Sequence, residues 1–511
     1  MKWQRVDKAP EADVCLILEG SYPYVSGGVS SWTHDLIKAQ SHLGFHLLIL
    51  LAPGSERKPK YELPGNVVGT TEVVLQRPPR GRRRLAQAER LMRRIEPVLS
   101  SLTYDGGLRD LRFLLRMLAQ GGSNIGSRVL LDSEAAWAML LRMYQRDYKK
   151  SSFLDYFWSW RGLMGGLYTV LLGEMPRARV YHAVSTGYAG LYLARARVET
   201  GRPALVTEHG IYTNERRIEI AMADWLHEDE GAMQSMVVDK TRRDLRDMWM
   251  HSFQSYSRAC YEACDRIITL FEGNQSFQLH DGAPPERLEV IPNGIDYERY
   301  AAIKRHPVEG EFCIALIGRV VPIKDVKTYI RAIAQVQEII PQARGYLLGP
   351  YDEDPEYYEE CRVLVEHLGL QGSFEFTGKV DLMEWLGRID LIVLTSISEG
   401  QPLVILEAGA AGIPCVATDV GACREMIEGD GREAPSLGSG GAVVPLSNPS
   451  SVARAIIRLL SEPSMLEMCG QVMRERVRLY YNKDDLTRTY QKIYETYREK
   501  PGKSHSEEEV A

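Results

Sequence analysis

The stretch Ser398-Glu399-Gly400-Gln401-Pro402-Leu403-Val404-Ile405-Leu406-Glu407-Ala408 constrains this chain more than any other. It follows an apolar run, Leu391 to Thr395, that has the length and composition of a buried strand. Pro402 then opens a helix, because its fixed φ and missing N–H suit a first helical position. Leu403 to Leu406, Ala408 and Ala410 leave that helix apolar on nearly every side, so it belongs in an interior. Glu407 stands alone in it. A carboxylate there is costly unless donors meet it. Helical side chains lean toward the N-terminus, so Glu407 points back toward the loop that carries Glu399. Both carboxylates are expected at the mouth of one pocket. The helix start also offers free N–H groups and a positive dipole end, which suit phosphate. A ligand with hydroxyls for the carboxylates and phosphate for the helix end is a nucleotide sugar. The bland alternative is a buried Glu in an ordinary salt bridge, and the register with Glu399 and Gly400-Gln401-Pro402 speaks against it.

At 511 residues the chain is too long for one ordinary core, and two domains are expected. In the first half, strands are expected at Asp13–Glu19, Leu47–Leu51, Arg179–His182, Ala204–Thr207 and Arg266–Leu270. Residues 77–175 and 215–264 read as mostly helical. Ile291-Pro292-Asn293-Gly294-Ile295-Asp296 is a turn, after which a second alternating series begins. Its strands are Phe312–Ile317, Ala343–Leu348, Ser373–Thr377, Asp390–Thr395 and Cys415–Thr418. Such alternation predicts an α/β protein of two doubly wound, Rossmann-like domains facing a cleft, with helical insertions in the first. The expected boundaries are 1–295 with a returning helix at 484–498, and 296–483. The polar tail 501–511 is expected to be disordered.

Composition excludes several classes. A hydrophobic share of 44% and a charged share of 25% argue against wholesale disorder, and a net charge of −6 argues against general nucleic-acid binding. The polar start, Met1 to Pro10, is not expected to act as a targeting signal, and the longest apolar run, around Leu43 to Ala52, is short of a membrane span. A soluble cytoplasmic protein is expected. The eight cysteines show no paired C-x-x-C, and Cys260 and Cys264, on one helix face, have no second pair for zinc. Neither disulfides nor a metal site is expected.

Four further segments carry candidate chemistry. Gly318-Arg319-Val-Val-Pro-Ile-Lys324-Asp325 follows a strand at the end where doubly wound sheets bind ligands. Arg319 and Lys324 stand five apart on a short loop and suit one anion, with Gly318 allowing close approach. A solvated turn with two surface cations is the bland alternative. Ser26-Gly27-Gly28 precedes a helix without dinucleotide spacing, and His209 follows a strand, where a lone His is usually structural. Asp352-Glu353-Asp354 looks like a metal-binding D-x-D, but before Pro355 it reads better as an N-cap at Asp354. The basic run Arg77 to Arg84 is a solvated insertion or a docking patch for an acidic partner or anionic membrane.

A Glu, seven residues and a second Glu inside S-E-G-x-P-L-x-x-L-E-A, with I-P-N-G-I-D upstream, resembles the retaining glycosyltransferases of the GT-B fold, family four. The likeness is strongest over residues 291–460. The opening E-G-S-Y-P-Y-V-x-G-G-V-S-S-W, the segment T-E-H-G-I-Y-T-N-E-R and the long helical insertions resemble the branch serving Pel exopolysaccharide systems. This resemblance implies a metal-independent transferase moving a hexose or N-acetylhexosamine from a UDP-sugar to a growing biofilm polysaccharide. It implies that Glu407 holds the ribose and that Arg319, Lys324, Gly318 and Gly28 line the diphosphate. Glu399 and His209 would lie against the sugar, beside the helix start Gly400, Gln401, Pro402 and Leu403. Docking to an inner-membrane synthase complex would follow, with no nucleic-acid partner. A UDP-sugar epimerase or phosphorylase on the same fold, or a non-catalytic nucleotide-sugar-binding subunit, are the alternatives.

Overall fold

The computed structural model describes residues 11–55, 58–82, 87–120, 122, 125–214, 245–431 and 433–500. The polar start, Arg83 and Arg84 of the basic run, residues 215–244 and the tail 501–511 lie outside the described residues.

Two compact units result. The first takes in the chain up to Thr269, Asn274–Val290 and the residues from Tyr490 onward; the second takes Leu270–Gly273 and Ile291–Thr489. Strands of the first are β1 (Ala12–Glu19), β2 (Phe45–Leu51), β3 (Val67–Val74), β4 (Ala178–Ala183), β5 (Ala204–Glu208), β6 (Arg266–Thr269) and β7 (Leu288–Val290). They lie parallel in the order β3-β2-β1-β4-β5-β6-β7, with Val14 facing Phe45 on one side and Val180 on the other. The second unit has β8 (Phe312–Ile317), β9 (Ala343–Leu348), β10 (Phe374–Gly378), β11 (Leu391–Leu394), β12 (Cys415–Thr418) and β13 (Gly441–Val444). Their order, β10-β9-β8-β11-β12-β13, again steps outward from a central strand and crosses back beside it. That reversal is the Rossmann pattern, and it opens a crevice at the carboxyl ends of the strands flanking it.

Parallel strands covered on both faces must be apolar on both faces. In the second unit Cys313, Ala315, Ile392, Leu394, Cys415 and Ala417 pack with Ile405, Leu406 and Ala408 of the helix Leu403–Ala410. The alternate residues Ile314, Leu316, Leu391, Val393 and Val416 pack on the other side, with Ile330 and Ile333 of the helix Val326–Ile339 and Ile456 of the helix Pro449–Ser461. In the first unit the segment between β3 and β4 builds helices Ala88–Leu102, Leu108–Ala119, Glu134–Met143 and Phe153–Leu172. Met92, Leu99, Leu111, Leu140, Leu163 and Leu167 join Cys15, Ile17, Leu48 and Leu50 in one core.

The structure adds elements that apolar runs did not mark. Strand β3 is an edge strand, half-exposed along most of its length, and β7 and β13 are short edge strands of the same kind. Pro402 is a correction of detail: it caps the helix with an extended ψ of 106°, and the first helical residue is Leu403.

One charge lies deep in the second unit. Arg476 is 1% exposed, and its guanidinium meets Glu433 at 2.5 and 3.0 Å and the Ile427 carbonyl at 2.7 Å. It ties the helix Pro463–Tyr480 to the turn before β13. Arg476→Met leaves the Glu433 carboxylate buried without its partner, and a loss of about 3–5 kcal/mol is expected. Urea unfolding of the variant measures it, and a loss below about 1 kcal/mol would contradict the assignment.

Candidate functional site

Strands β8, β11 and β12 are neighbours, and the loops at their carboxyl ends are laced together. Thr395 donates its hydroxyl to the carbonyls of Lys324 and Asp325, each at 3.0 Å. The Ile397 N–H donates to Ile323, and Thr418 donates to the Ser396 carbonyl at 2.6 Å. Gly421 adopts a φ of +53°, and a Cβ there would collide with the carbonyl oxygens of Glu399 and Gly400. Only glycine allows the β12 loop to close so tightly on the loop that bears Glu399.

Within this frame Lys324 Nζ lies 2.5 Å from Glu399 Oε1, with both side chains largely buried. Ser396 Oγ donates to the same carboxylate oxygen at 2.6 Å. The Lys324 stem runs beside Gly318, at ordinary contact distance from where a Cβ would stand. Arg319 is more exposed and pairs instead with Glu353 at 2.5 Å. The two cations therefore sit on one loop with different carboxylate partners. Asp354 accepts from the Tyr357 N–H at 3.0 Å and caps the helix Pro355–His367, as its place before Pro355 implied.

Glu407 receives the Tyr300 hydroxyl at 3.0 Å. Burial raises its carboxyl above the usual range, against the Tyr300 hydrogen bond and the nearby Arg299 charge. Glu399 and Glu407 share no partner among the described residues. Gln401 is occupied by backbone: its Oε1 accepts from the Asn293 N–H at 2.6 Å and its Nε2 donates to the Asn293 carbonyl at 3.1 Å. That clasp seats the Ile291–Asp296 turn against the Glu399 loop.

In the first unit, Gly27 and Gly28 are exposed at the start of the helix Gly28–Ala39, which has no side-chain cap. A Cβ on either would meet open space. His209 is only partly buried as a residue, yet its Nε2 is shut off from solvent and has no hydrogen-bond partner among the described residues. Its ring meets the edge of Trp32 at 4.6 Å between centroids. Desolvation lowers its pKa to about 4, so the ring is neutral at pH 7. His182 is a different case. Its nitrogens are spent on Tyr494 at 2.7 Å and Thr207 at 2.9 Å, and burial lowers it to about 3. Both ring nitrogens are committed, which makes His182 a structural residue.

Tyr300, Ser396, Trp32 and the Asn293 clasp escaped sequence reasoning. Trp32 sits in the same helix pattern as Leu36, which hid it among core candidates. Tyr300 lies 107 positions from the carboxylate it meets, and no local spacing carries such a pairing.

Two parallel Rossmann-like sheets of this order define the GT-B class of glycosyltransferase folds. A UDP complex of HepE from Anabaena superposes with a TM-score of 0.56 over 94% of this chain and 99% of that one, at 15% identity. Residues 311–462 match the family described as glycosyl transferases group 1. Residues 12–286 match the domain of unknown function DUF3492, and the chain belongs to that family. A D-inositol 3-phosphate glycosyltransferase of Kribbella flavida is 30% identical over 227 residues, covering 41% of this chain and 51% of its own. An exopolysaccharide phosphotransferase of Streptomyces coelicolor is 33% identical over 219 residues, covering 42% of this chain and 21% of its own. The chain spans about half the length, or less, of these curated relatives.

Glu407 gives a test that needs no substrate. Its folded pKa lies above the unfolded value of 4.5, so its contribution to stability is whole below pH 4.5 and is lost as pH rises through the folded value. Gln cannot ionise and escapes that loss. Glu407→Gln is therefore expected to be more stable than the parent at pH 8, by a margin that shrinks toward pH 5. Thermal unfolding at the two pH values checks this, and an equal margin at both would count against it.

Proposed function

We propose that the protein is a retaining glycosyltransferase that takes a UDP-linked hexose or N-acetylhexosamine and extends an exopolysaccharide of the Pel type. The observation that carries the reading is the largely buried Lys324–Glu399 pair, at the carboxyl ends of β8 and β11 where a doubly wound sheet binds ligands. Lys324, Arg319 and Gly318 are assigned to the diphosphate, with Gly28 assigned to it by resemblance. Glu407, oriented by Tyr300, is assigned to the ribose hydroxyls: one oxygen takes the phenol and the other is left to accept. Glu399 is assigned to the donor sugar beside the backbone of Gly400, Gln401, Pro402 and Leu403; His209 is assigned to it by resemblance. A neutral His209 can donate or accept there without adding charge. Fixed cations facing the departing diphosphate supply electrostatic stabilisation as charge develops, without a metal ion. The match to glycosyl transferases group 1 and the exopolysaccharide relative support the reading.

UDP release measured over a panel of UDP-sugars, with oligosaccharide acceptor present, tests the activity. UDP freed from none of them would overturn it.

Glu407→Ala is expected to weaken UDP binding, while Glu399→Ala mainly slows turnover. Each lost charged hydrogen bond is worth about 1.5–3 kcal/mol. Calorimetric titration of UDP into both variants separates the roles, and equal loss of affinity in the two would remove the division of labour.

Transfer is expected to survive excess chelator. Replacing Arg319 and Lys324 together by Ala is expected to abolish transfer, with added magnesium failing to restore it. An intact enzyme silent in chelator and revived by magnesium or manganese would refute the metal-free assignment.

A further inference from the structure

Strand β5 ends in Glu208, a fully buried carboxylate, and His209 follows it directly. Three separate helices, or their caps, send donors to that side chain. Thr186 Oγ1, at the cap of the helix Gly187–Thr200, donates to Oε1 at 2.9 Å. Tyr261 from the helix Leu245–Ala263 donates to Oε2 at 2.6 Å, and Gln278 Nε2 from the helix Gly273–His280 reaches the same oxygen at 2.8 Å. The chain beyond His209 is held by two more carboxylates: Tyr212 donates to Glu19 at 2.8 Å and Thr213 to Asp281 at 2.7 Å.

We propose that Glu208 is a positioning residue whose carboxylate, gripped by Thr186, Tyr261 and Gln278, fixes the strand end that carries His209 and relaxes that grip when it takes up a proton. Its bearing on catalysis rests on the assignment of His209 to the donor sugar; the coupling between the two residues does not. An ionised carboxylate only accepts, which matches three donors. A protonated one must donate through one oxygen, so one of its three partners has to turn round and accept. Among the described residues Gln278 Oε1 is buried without a partner, so a half-turn of that amide offers the protonated acid an acceptor. The same side chain thus has a partner for either state, in different orientations.

Burial pushes Glu208 up to about 7 against the pull of its three donors, with Asp281 adding to the rise. Tyr261 and Cys260, which also act on this carboxylate's surroundings, are held well above their ordinary values by burial and stay neutral there. Among these three described groups the change of charge near neutrality belongs to Glu208.

The test follows the His209 ring in the full-length protein labelled with ¹³C-histidine, its signal identified by its loss in His209→Asn. A step in its chemical shift is expected with a midpoint of about 7, far from the ring's own titration at about 4. Glu208→Gln is expected to remove the step. Tyr261→Phe keeps the carboxylate but deletes a donor to its charged form, and is expected to raise the midpoint by about one unit. If Glu208→Gln does not fold, the Tyr261→Phe shift decides alone. A signal flat between pH 6 and 8 in the parent, or a step unchanged in these variants, overturns the proposal. Calorimetry with UDP, run on the parent and on Tyr261→Phe, keeps the two readings apart. A parent that fails to bind UDP sinks the donor assignment while the His209 step still stands or falls by itself.

Discussion

Everything in this molecule follows from burying parallel strands on both faces. Such strands have no solvent side on which to carry polar residues, so the chemistry collects in the loops at their carboxyl ends. Glu19 ends β1, Glu208 ends β5 with His209 after it, Arg319 and Lys324 follow β8, Glu399 follows β11, and Gly421 follows β12. The hydrogen bonds that lace Thr395, Ser396 and Thr418 to neighbouring loops exist because these strands are adjacent in the sheet. A side chain on such a loop is set by the register of a buried strand and not by the loop alone.

Burial and donation compete at Glu407 and Glu208, and at both burial prevails. At Glu407 one phenol and the Arg299 guanidinium fail to offset desolvation, and the acid is raised. Glu208 has three donors and still rises, because it is wholly enclosed. Glu399 meets a full positive charge, Lys324 Nζ at 2.5 Å, and the Ser396 hydroxyl at 2.6 Å. The histidines answer the same rule with opposite sign, since desolvation disfavours their charged form. His209 is neutral with a nitrogen to spare, while His182 is neutral with none.

How much of this the sequence disclosed depended on the range of the interaction. Central strands were legible as short apolar runs, and the cap at Asp354 was legible because Pro355 adjoins it. Glu407 stood out because an isolated charge in an apolar helix violates the local pattern. Edge strand β3 was missed since Val67 to Thr71 is half-exposed and gives no sustained apolar run. Tyr300 on Glu407 and Arg476 on Glu433 were missed because tertiary packing, not spacing, chooses those partners. That Arg319 and Lys324 share the loop after β8 was legible from their spacing, but the carboxylates they meet, Glu353 and Glu399, come from other loops of the sheet.

The cost of Glu407 is itself informative. Removing a carboxylate from water without full compensation lowers stability, and a neutral side chain of the same shape would keep the Tyr300 hydrogen bond. Packing alone therefore gives no reason for a charge at this position. Arg476 and Glu433 show the contrasting case, in which a buried carboxylate is matched by two guanidinium nitrogens and the remaining donors find carbonyls. Sites where local rules are broken without repair are where function is expected to reside. By that criterion Arg476 belongs to the scaffold, and the unrepaired cost of Glu407 is the ground on which we propose it as a ligand-binding residue.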